Sequence, residues 1–273
     1  MKIKLNNESI NSFLDRVHLS KKKIYILKTN NKITGNFKNY DEVLNDYVYF
    51  NIDEEINYKV EEGKLDIIYE DDNYLVINKK RGIIIHDETN SLANNIAYYY
   101  SKNNINAEIR FPSRLDKDTT GVVIFSKNMI SASYLDFLFS NDLVNKEYVA
   151  LCHDEFKNLK GTINYNISTD RHNNNKMVTT INGKKAITNY KVIKNDKISY
   201  VSLTIKTGRT HQIRLHLSKI GHSILGDKIY GDGIGELMLC CKKIEFNNFD
   251  NKKMIFEANL DNEFETNLKK LSA

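Results

Sequence analysis

Cysteine is scarce: three in 273 residues. A chain of this length buries a substantial core without disulfide staples and divides into one large domain, or a large one plus a small appendage. Cys240 and Cys241 are adjacent and Cys152 is remote, with no Cys-x-x-Cys or His-x-x-x-His spacing beside them. That pattern argues against a zinc site and for reduced thiols. Long apolar runs are missing as well. None approaches the roughly 18 to 20 residues that span a bilayer, and no signal-peptide core marks the first residues, so a cytoplasmic location is expected. Proline occurs once, amid abundant Asn, Lys, Ile and Tyr, a drift of composition along the whole chain. The net charge of +5 is modest and does not by itself identify a nucleic-acid binder. Its distribution says more: Lys206 to Lys228 holds five Lys or Arg and one acid, whereas Asp53 to Glu62 is mostly acidic.

Two helices open the chain. Ser9 is placed to cap a helix whose Ile10, Phe13, Leu14 and Val17 fall at i, i+3, i+4 and i+7, one buried face. Ser20 is placed to cap a second, with Lys21, Lys22, Lys23, Ile24 and Leu27; Asn30-Asn31 then turns the chain into short strands near Lys32 to Thr34 and Tyr47 to Ile52. The acidic, aperiodic stretch 53–63 reads as a linker. Beyond it, strands are expected at Tyr74 to Asn78, Gly82 to Ile85, Val122 to Ser126, Glu147 to Leu151, Ile198 to Ile205 and Leu237 to Phe246. Helices are expected at Thr89 to Tyr100, Asn128 to Ser140 and His211 to Lys219. Strands outnumber helices and do not alternate with them regularly, which predicts an α+β domain on a mixed or antiparallel sheet.

Two segments carry chemistry. Arg114-Leu115-Asp116-Lys117-Asp118-Thr119-Thr120-Gly121 sets one carboxylate between an arginine and a glycine turn, just before the apolar run Val122 to Phe125. Further on, Thr207-Gly208-Arg209-Thr210-His211-Gln212-Ile213-Arg214-Leu215-His216 supplies cations that would keep such a carboxylate charged in a dry pocket. Asp118 reads as an exposed turn residue, His211 and His216 as packing histidines, Asp227 as a loop-bracing acid, and Arg214 and Lys219 as contacts to phosphate or solvent.

From Lys64 onward the chain resembles the RluA-type pseudouridine synthases, on four blocks. These are Glu70 to Lys79 with Gly82 and His86; Arg114 to Gly121; Lys146-Glu147-Tyr148; and Thr207 to His216 followed by Gly221 to Gly231. The order of the first 52 residues is similar to the small RNA-binding domain shared by a ribosomal small-subunit protein, tyrosyl-tRNA synthetase and many RNA-modifying enzymes. There Lys21, Lys22 and Lys23 match the basic helix that meets phosphate, while Asn30 stands where that family often has Gly. The implied organisation is a small RNA-binding domain at 1–52, a linker at 53–63 and a catalytic domain at 64–273.

The resemblance implies isomerisation of uridine in RNA. The N1 to C1′ bond breaks, the uracil turns and C5 joins C1′, with no cofactor or metal required. Because uracil leaves as a delocalised anion, the second carboxylic acid of most glycosidases is dispensable, and Asp116 suffices. Asp116 would attack sugar or base, or assist loss of a sugar proton. Arg209 is expected to pair with it and orient it through parallel hydrogen bonds. Tyr148 offers a ring to stack on uracil and a hydroxyl to shuttle a proton, and Arg114 a planar cation to fill the space left by an extruded base. Ser113 stands where the family usually has His, Lys80 where it has Pro, and Leu239-Cys240-Cys241 where it has Leu-His-Ala. A fold kept only for RNA binding or ribosome assembly would show the same basic surface; Asp116, Tyr148 and Arg209 together point to a working enzyme acting on ribosomal or transfer RNA.

Overall fold

Both N-terminal helices begin where a serine ends the preceding extended chain. In the computed structural model, which describes residues 1–52, 54–173 and 176–271, the Ser9 hydroxyl accepts the Ser12 amide at 3.1 Å and the Ser20 hydroxyl accepts the Lys23 amide at 3.4 Å. The first elements are β1 (Lys2–Lys4), β2 (Glu8–Ser9), α1 (Ile10–Arg16), α2 (Lys21–Thr29), β3 (Ile33–Gly35), β4 (Val43–Leu44) and β5 (Tyr47–Phe50). Strands β1, β5 and β3 form an antiparallel sheet in that order, and β2 pairs with β4. Ile10, Phe13, Leu14 and Val17 are buried against Val48 and Phe50, as their helical spacing requires. The same core takes in Ile130 and Phe249 from much later in the chain. His18 also stacks on Phe137 with centroids 3.5 Å apart, and Arg16 donates to the Phe249 carbonyl.

Next come β6 (Ile67–Glu70), β7 (Tyr74–Lys79), α3 (Leu92–Lys102), β8 (Thr120–Ser126), α4 (Met129–Ser140), β9 (Asn145–His153), β10 (Lys160–Ile163), β11 (Ile167–Thr169) and β12 (Met177–Thr179). The chain continues through β13 (Thr188–Lys194), β14 (Ile198–Ile205), α5 (Gln212–Lys219), β15 (Leu239–Asn247), β16 (Lys253–Glu257) and α6 (Asn262–Lys270). A nine-stranded sheet runs β10-β13-β14-β9-β15-β8-β7-β6, with β16 also beside β15. Its ladders are antiparallel except β15 against β8. This is the mixed, mostly antiparallel α+β arrangement expected from the pattern of elements. Because side chains alternate along a strand, β7 and β8 feed two cores. Leu75, Ile77, Val123 and Phe125 pack with α3, while Tyr74, Val76, Val122 and Ile124 join the larger core on the other face.

At the parallel contact Cys241 lies opposite Gly121. A Cβ at Gly121 would sit 2.2 Å from the Cys241 carbonyl oxygen, and the residue has φ +112°, so only glycine fits. The expected strand at Gly82 to Ile85 does not form. Gly82 has φ +80°, its amide is bonded to the Lys117 carbonyl, and Ile84 makes one isolated bridge to Ser91. Helix α3 starts later than expected, since Ser91 and Asn94 close a capping box. The acidic stretch called a linker begins at Asp53, outside the described residues, as do Ser272 and Ala273 at the far end of the expected catalytic domain. Glu54 pairs with Arg110 at 2.8 Å and Glu61 accepts the Asn90 amide at 2.7 Å, so this stretch lies along the body of the larger unit. Among the described residues no helix is long and apolar enough to cross a membrane.

Candidate active site

Asp116 lies in the turn that leads into β8. Its carbonyl accepts the Thr119 amide at 3.1 Å, closing the turn, and the rest of the loop hangs on the end of β7. The buried Lys79 ammonium donates to the carbonyls of Lys117 (2.7 Å) and Lys80 (3.0 Å), and the Arg81 guanidinium donates to those of Leu237 and Asp118. The loop is therefore fixed through its backbone, which leaves the Asp116 side chain free for other partners.

Burial pushes the Lys79 ammonium down to about 8 from an ordinary 10.5, against the pull of Asp118 and Asp116. Below pH 8 the folded and unfolded chains both hold the proton, and the penalty of burying the charge is felt in full. Above it the folded chain sheds a proton that the unfolded chain retains, so stability rises with pH. Urea denaturation is expected to show this rise between about pH 8 and pH 10.5, the folded and the ordinary value. Lys79→Met should abolish the rise; the same slope in that variant would assign it to another group.

The Asp116 Oδ2 accepts Arg214 Nη1 at 3.1 Å. Arg214 is in turn clamped by Asp227, its Nε and Nη2 each donating to one carboxylate oxygen at 2.8 Å. Asp227, with a fully buried side chain, also accepts the amides of Ile229 (2.9 Å) and Tyr230 (3.0 Å). Burial, the strongest influence on this carboxyl, pushes it up, but the Arg214 bonds and the two amides together hold it below the usual carboxylate range. Asp227 thus braces its loop and fixes the guanidinium that fixes Asp116.

Two sequence expectations change here. Arg209 does not make the pair with Asp116: it is exposed, and its Nε donates to the Lys185 carbonyl at 3.1 Å. It belongs to the loop before α5, whose fold is set by Gln212 accepting the Thr207 hydroxyl (2.8 Å) and the Arg209 amide (3.1 Å). Arg214, expected to face phosphate or solvent, is instead buried on α5, where Gln212 through Leu217 are all sealed in. A signal was present in the sequence: an arginine between Ile213 and Leu215 on a helix rich in apolar residues needs an internal acid, and Asp227 follows in the next loop.

Asp116, Arg114, Tyr148, Arg209 and Arg214 line one cleft of about 950 Å³. Tyr148 is buried on β9, and burial, with the Cys241 thiol beside it, holds its proton well above the ordinary tyrosine range. It therefore enters any reaction as the neutral phenol. Lys146, two residues earlier and so on the same face of β9, lines the cleft with its ammonium 5.3 Å from the Phe139 ring centroid. Arg114 is exposed at the cleft, with Nη1 3.2 Å from His86 Nε2, and His86 stacks on Phe111. His211 Nε2 stands 3.8 Å from Asp116 Oδ2. Lys21, Lys22 and Lys23 do not line the cleft; they lie on α2, where Lys21 and Lys22 are exposed. Among the described residues no group of three or more His, Cys, Asp or Glu side chains is placed to hold a metal ion.

A paired carboxylate, a neutral tyrosine and several cations in an open cleft suit chemistry on a polyanion. Comparison with known proteins agrees. The family model for RNA pseudouridylate synthase matches residues 73–219. The uncharacterized RNA pseudouridine synthase YhcT of Bacillus subtilis (strain 168) is 36% identical over 211 residues, covering 71% of this chain and 70% of the relative. Ribosomal large subunit pseudouridine synthase D of Borreliella burgdorferi is 39% identical over 211 residues, 70% of this chain and 64% of that one. Among solved structures, human RNA pseudouridylate synthase domain containing 4 superposes with a TM-score of 0.65 at 24% identity, covering 76% of this chain and 92% of that one, a likeness of fold.

Proposed function

The chain belongs to the RNA pseudouridylate synthase family, in its RluA-type branch, and we propose that Asp116 is the carboxylate through which it isomerises uridine. The enzyme is an RNA pseudouridine synthase; the proposal concerns which groups do the work and on which RNA. The observation that carries it is the Arg214 to Asp116 hydrogen bond in a cleft that also presents Tyr148. A bonded guanidinium offsets the cost of holding a carboxylate ionised there and leaves its second oxygen available to C1′ or to the base.

In this reading Asp116 reacts while uracil departs as a delocalised anion and turns. Tyr148 stacks on the ring; once C5 is bonded to C1′ the C5 hydrogen leaves as a proton and N1 takes one up, an exchange the neutral phenol relays by accepting one proton as it gives up its own. Arg114, exposed beside Asp116, takes the place of the extruded base, and Arg209 at the rim meets phosphate. The substrate is structured RNA of the ribosome: the relatives named for the ribosomal large subunit support that choice, and their setting supports a cytoplasmic enzyme. Residues 1–52 act as a small RNA-binding domain, and the chain from residue 64 as the catalytic domain.

Release of tritium from RNA labelled at uridine C5 tests the chemistry. Wild-type protein with unmodified large-subunit ribosomal RNA should release label, and Asp116→Ala should not. Binding of that RNA without release by wild type would overturn the reading in favour of a noncatalytic RNA-binding protein. The role of α2 is separable. Replacing Lys21 and Lys22 with Ala should weaken RNA binding and lower the slope of log Kd against log salt by about 1 per lysine that meets a phosphate. An unchanged slope would remove that helix from the interface.

A further inference from the structure

Beside Asp116 stands a side chain to which the isomerisation scheme gives no role. His211 opens α5 in the left-handed region, φ +54° and ψ +18°, unusual for a residue other than glycine. Its Nδ1 is 3.0 Å from the Tyr230 hydroxyl, and its Nε2 is 3.8 Å from Asp116 Oδ2. The Tyr230 hydroxyl accepts the Met177 amide, from the first residue of β12, at 2.8 Å.

Donor counting points to one arrangement of protons. The Tyr230 oxygen accepts the Met177 amide and has one hydrogen to give, and giving it to a bare His211 Nδ1 satisfies the hydroxyl and the ring nitrogen together. A neutral imidazole with a bare Nδ1 carries its hydrogen on Nε2, the nitrogen that faces Asp116. The charges around the ring are Asp116, Arg214 and Asp227, with Tyr230 at its edge; burial, the largest influence, disfavours the imidazolium and Arg214 adds to this, against the two carboxylates.

We propose that His211 is a positioning residue of the isomerisation, held by Tyr230 and the Met177 amide as the neutral Nε2–H tautomer so that it presents a hydrogen-bond donor to Asp116. The assignment rests on the reading of Asp116 as the reacting carboxylate. At 3.8 Å the donor is beyond hydrogen-bond length, and catalytic hydrogen bonds that are long in the free enzyme tighten in the complex with substrate. A neutral donor suits the site. Arg214 already supplies one full positive charge, and a second would bind the carboxylate electrons more tightly and blunt its attack. The proton on His211 is then set from outside the cleft floor, because the third member of the chain is a backbone amide of the β11–β12 hairpin. Whatever shifts that hairpin changes what Asp116 faces.

Nitrogen-15 NMR of protein labelled at histidine reads the tautomer directly, with the His211 signals assigned by their loss in His211→Gln. At neutral pH the wild-type protein should show Nδ1 unprotonated and Nε2 protonated. An Nδ1–H tautomer, or an imidazolium, would overturn the proposal whether or not Asp116 is the reacting group, which the tritium assay decides separately. In Tyr230→Phe the two nitrogen shifts should converge as the tautomers mix, and kcat should fall about fivefold, the worth of one hydrogen bond, with KM for RNA unchanged. Unmixed shifts with unaltered kcat in that variant would equally sink it. As pH is lowered, wild-type kcat should fall in step with the appearance of the His211 imidazolium signal; a rate indifferent to that signal would exclude the positioning role.

Discussion

An Arg214→Met protein should lose about 3–5 kcal/mol of stability together with its isomerisation, whereas Asp116→Ala should lose the isomerisation and keep its stability within about 1 kcal/mol. The asymmetry follows from what each change leaves behind. Without Arg214, the fully buried Asp227 carboxylate retains, among the described residues, the two backbone amides of Ile229 and Tyr230 to balance its charge. Removing one partner of a buried pair strands the other, which is why the loss exceeds anything the pair contributes when intact. Without Asp116, Arg214 still has both oxygens of Asp227 at 2.8 Å, and the missing carboxylate was 27% exposed. Urea denaturation and C5 tritium release, measured on both proteins, separate the two effects. Equal stabilities would show that Asp227 is not dependent on Arg214, and the bracing role assigned to it would fall.

Gly121→Ala is the second large effect. The new methyl would lie 2.2 Å from the Cys241 carbonyl oxygen and 2.7 Å from that residue's nitrogen and carbonyl carbon, all backbone atoms with no rotamer to swing away. The residue's φ of +112° adds strain that an L side chain does not relieve. Strands β8 and β15 would have to part at the point where the Asp116 turn enters the sheet. A loss of at least about 3 kcal/mol is expected, a fall in Tm of roughly 6–12 °C by calorimetry. Gly208→Ala is the control: nothing lies within 4 Å of its added carbon, so its Tm should stay near wild type. A Gly121→Ala protein melting with the control would refute the close approach.

How far the sequence reveals this molecule depends on how local each cause is. Capping serines, the helical spacing of Ile10 to Val17 and the apolar runs of β7, β8 and β9 act within a few residues, and those elements stand where their patterns put them. Strand β10 is the sheet edge and β13 the strand next to it, both with mixed polar faces, and the three-residue β11 and β12 are too short to show a period. The apolar Gly82 to Ile85 run has the composition of a strand, but its backbone is spent on the Lys117 carbonyl and on the amides of Leu92 and Ala93. The site divides in the same way. Asp116, Tyr148 and Arg114 share a cleft as their blocks suggested. The choice between Arg209 and Arg214 was not local, since it turned on Asp227 and on the burial of α5 from Gln212 to Leu217. The loop arginine next to glycine stands exposed, whereas the buried helical one is the arginine that reaches both carboxylates.

The order of strands has a consequence for the making of the enzyme. Asp116 precedes β8 and Tyr148 is on β9, yet these strands are not neighbours: β15 lies between them, parallel to the one and antiparallel to the other. A growing chain that has emerged from the ribosome only as far as α5 already contains Asp116, Tyr148 and Arg214. It lacks the strand that sets their spacing. Until Leu239–Asn247 is inserted, the strand pairings that link β8 to β9 are absent, and a chain ended before that strand is expected to release no tritium from C5-labelled RNA.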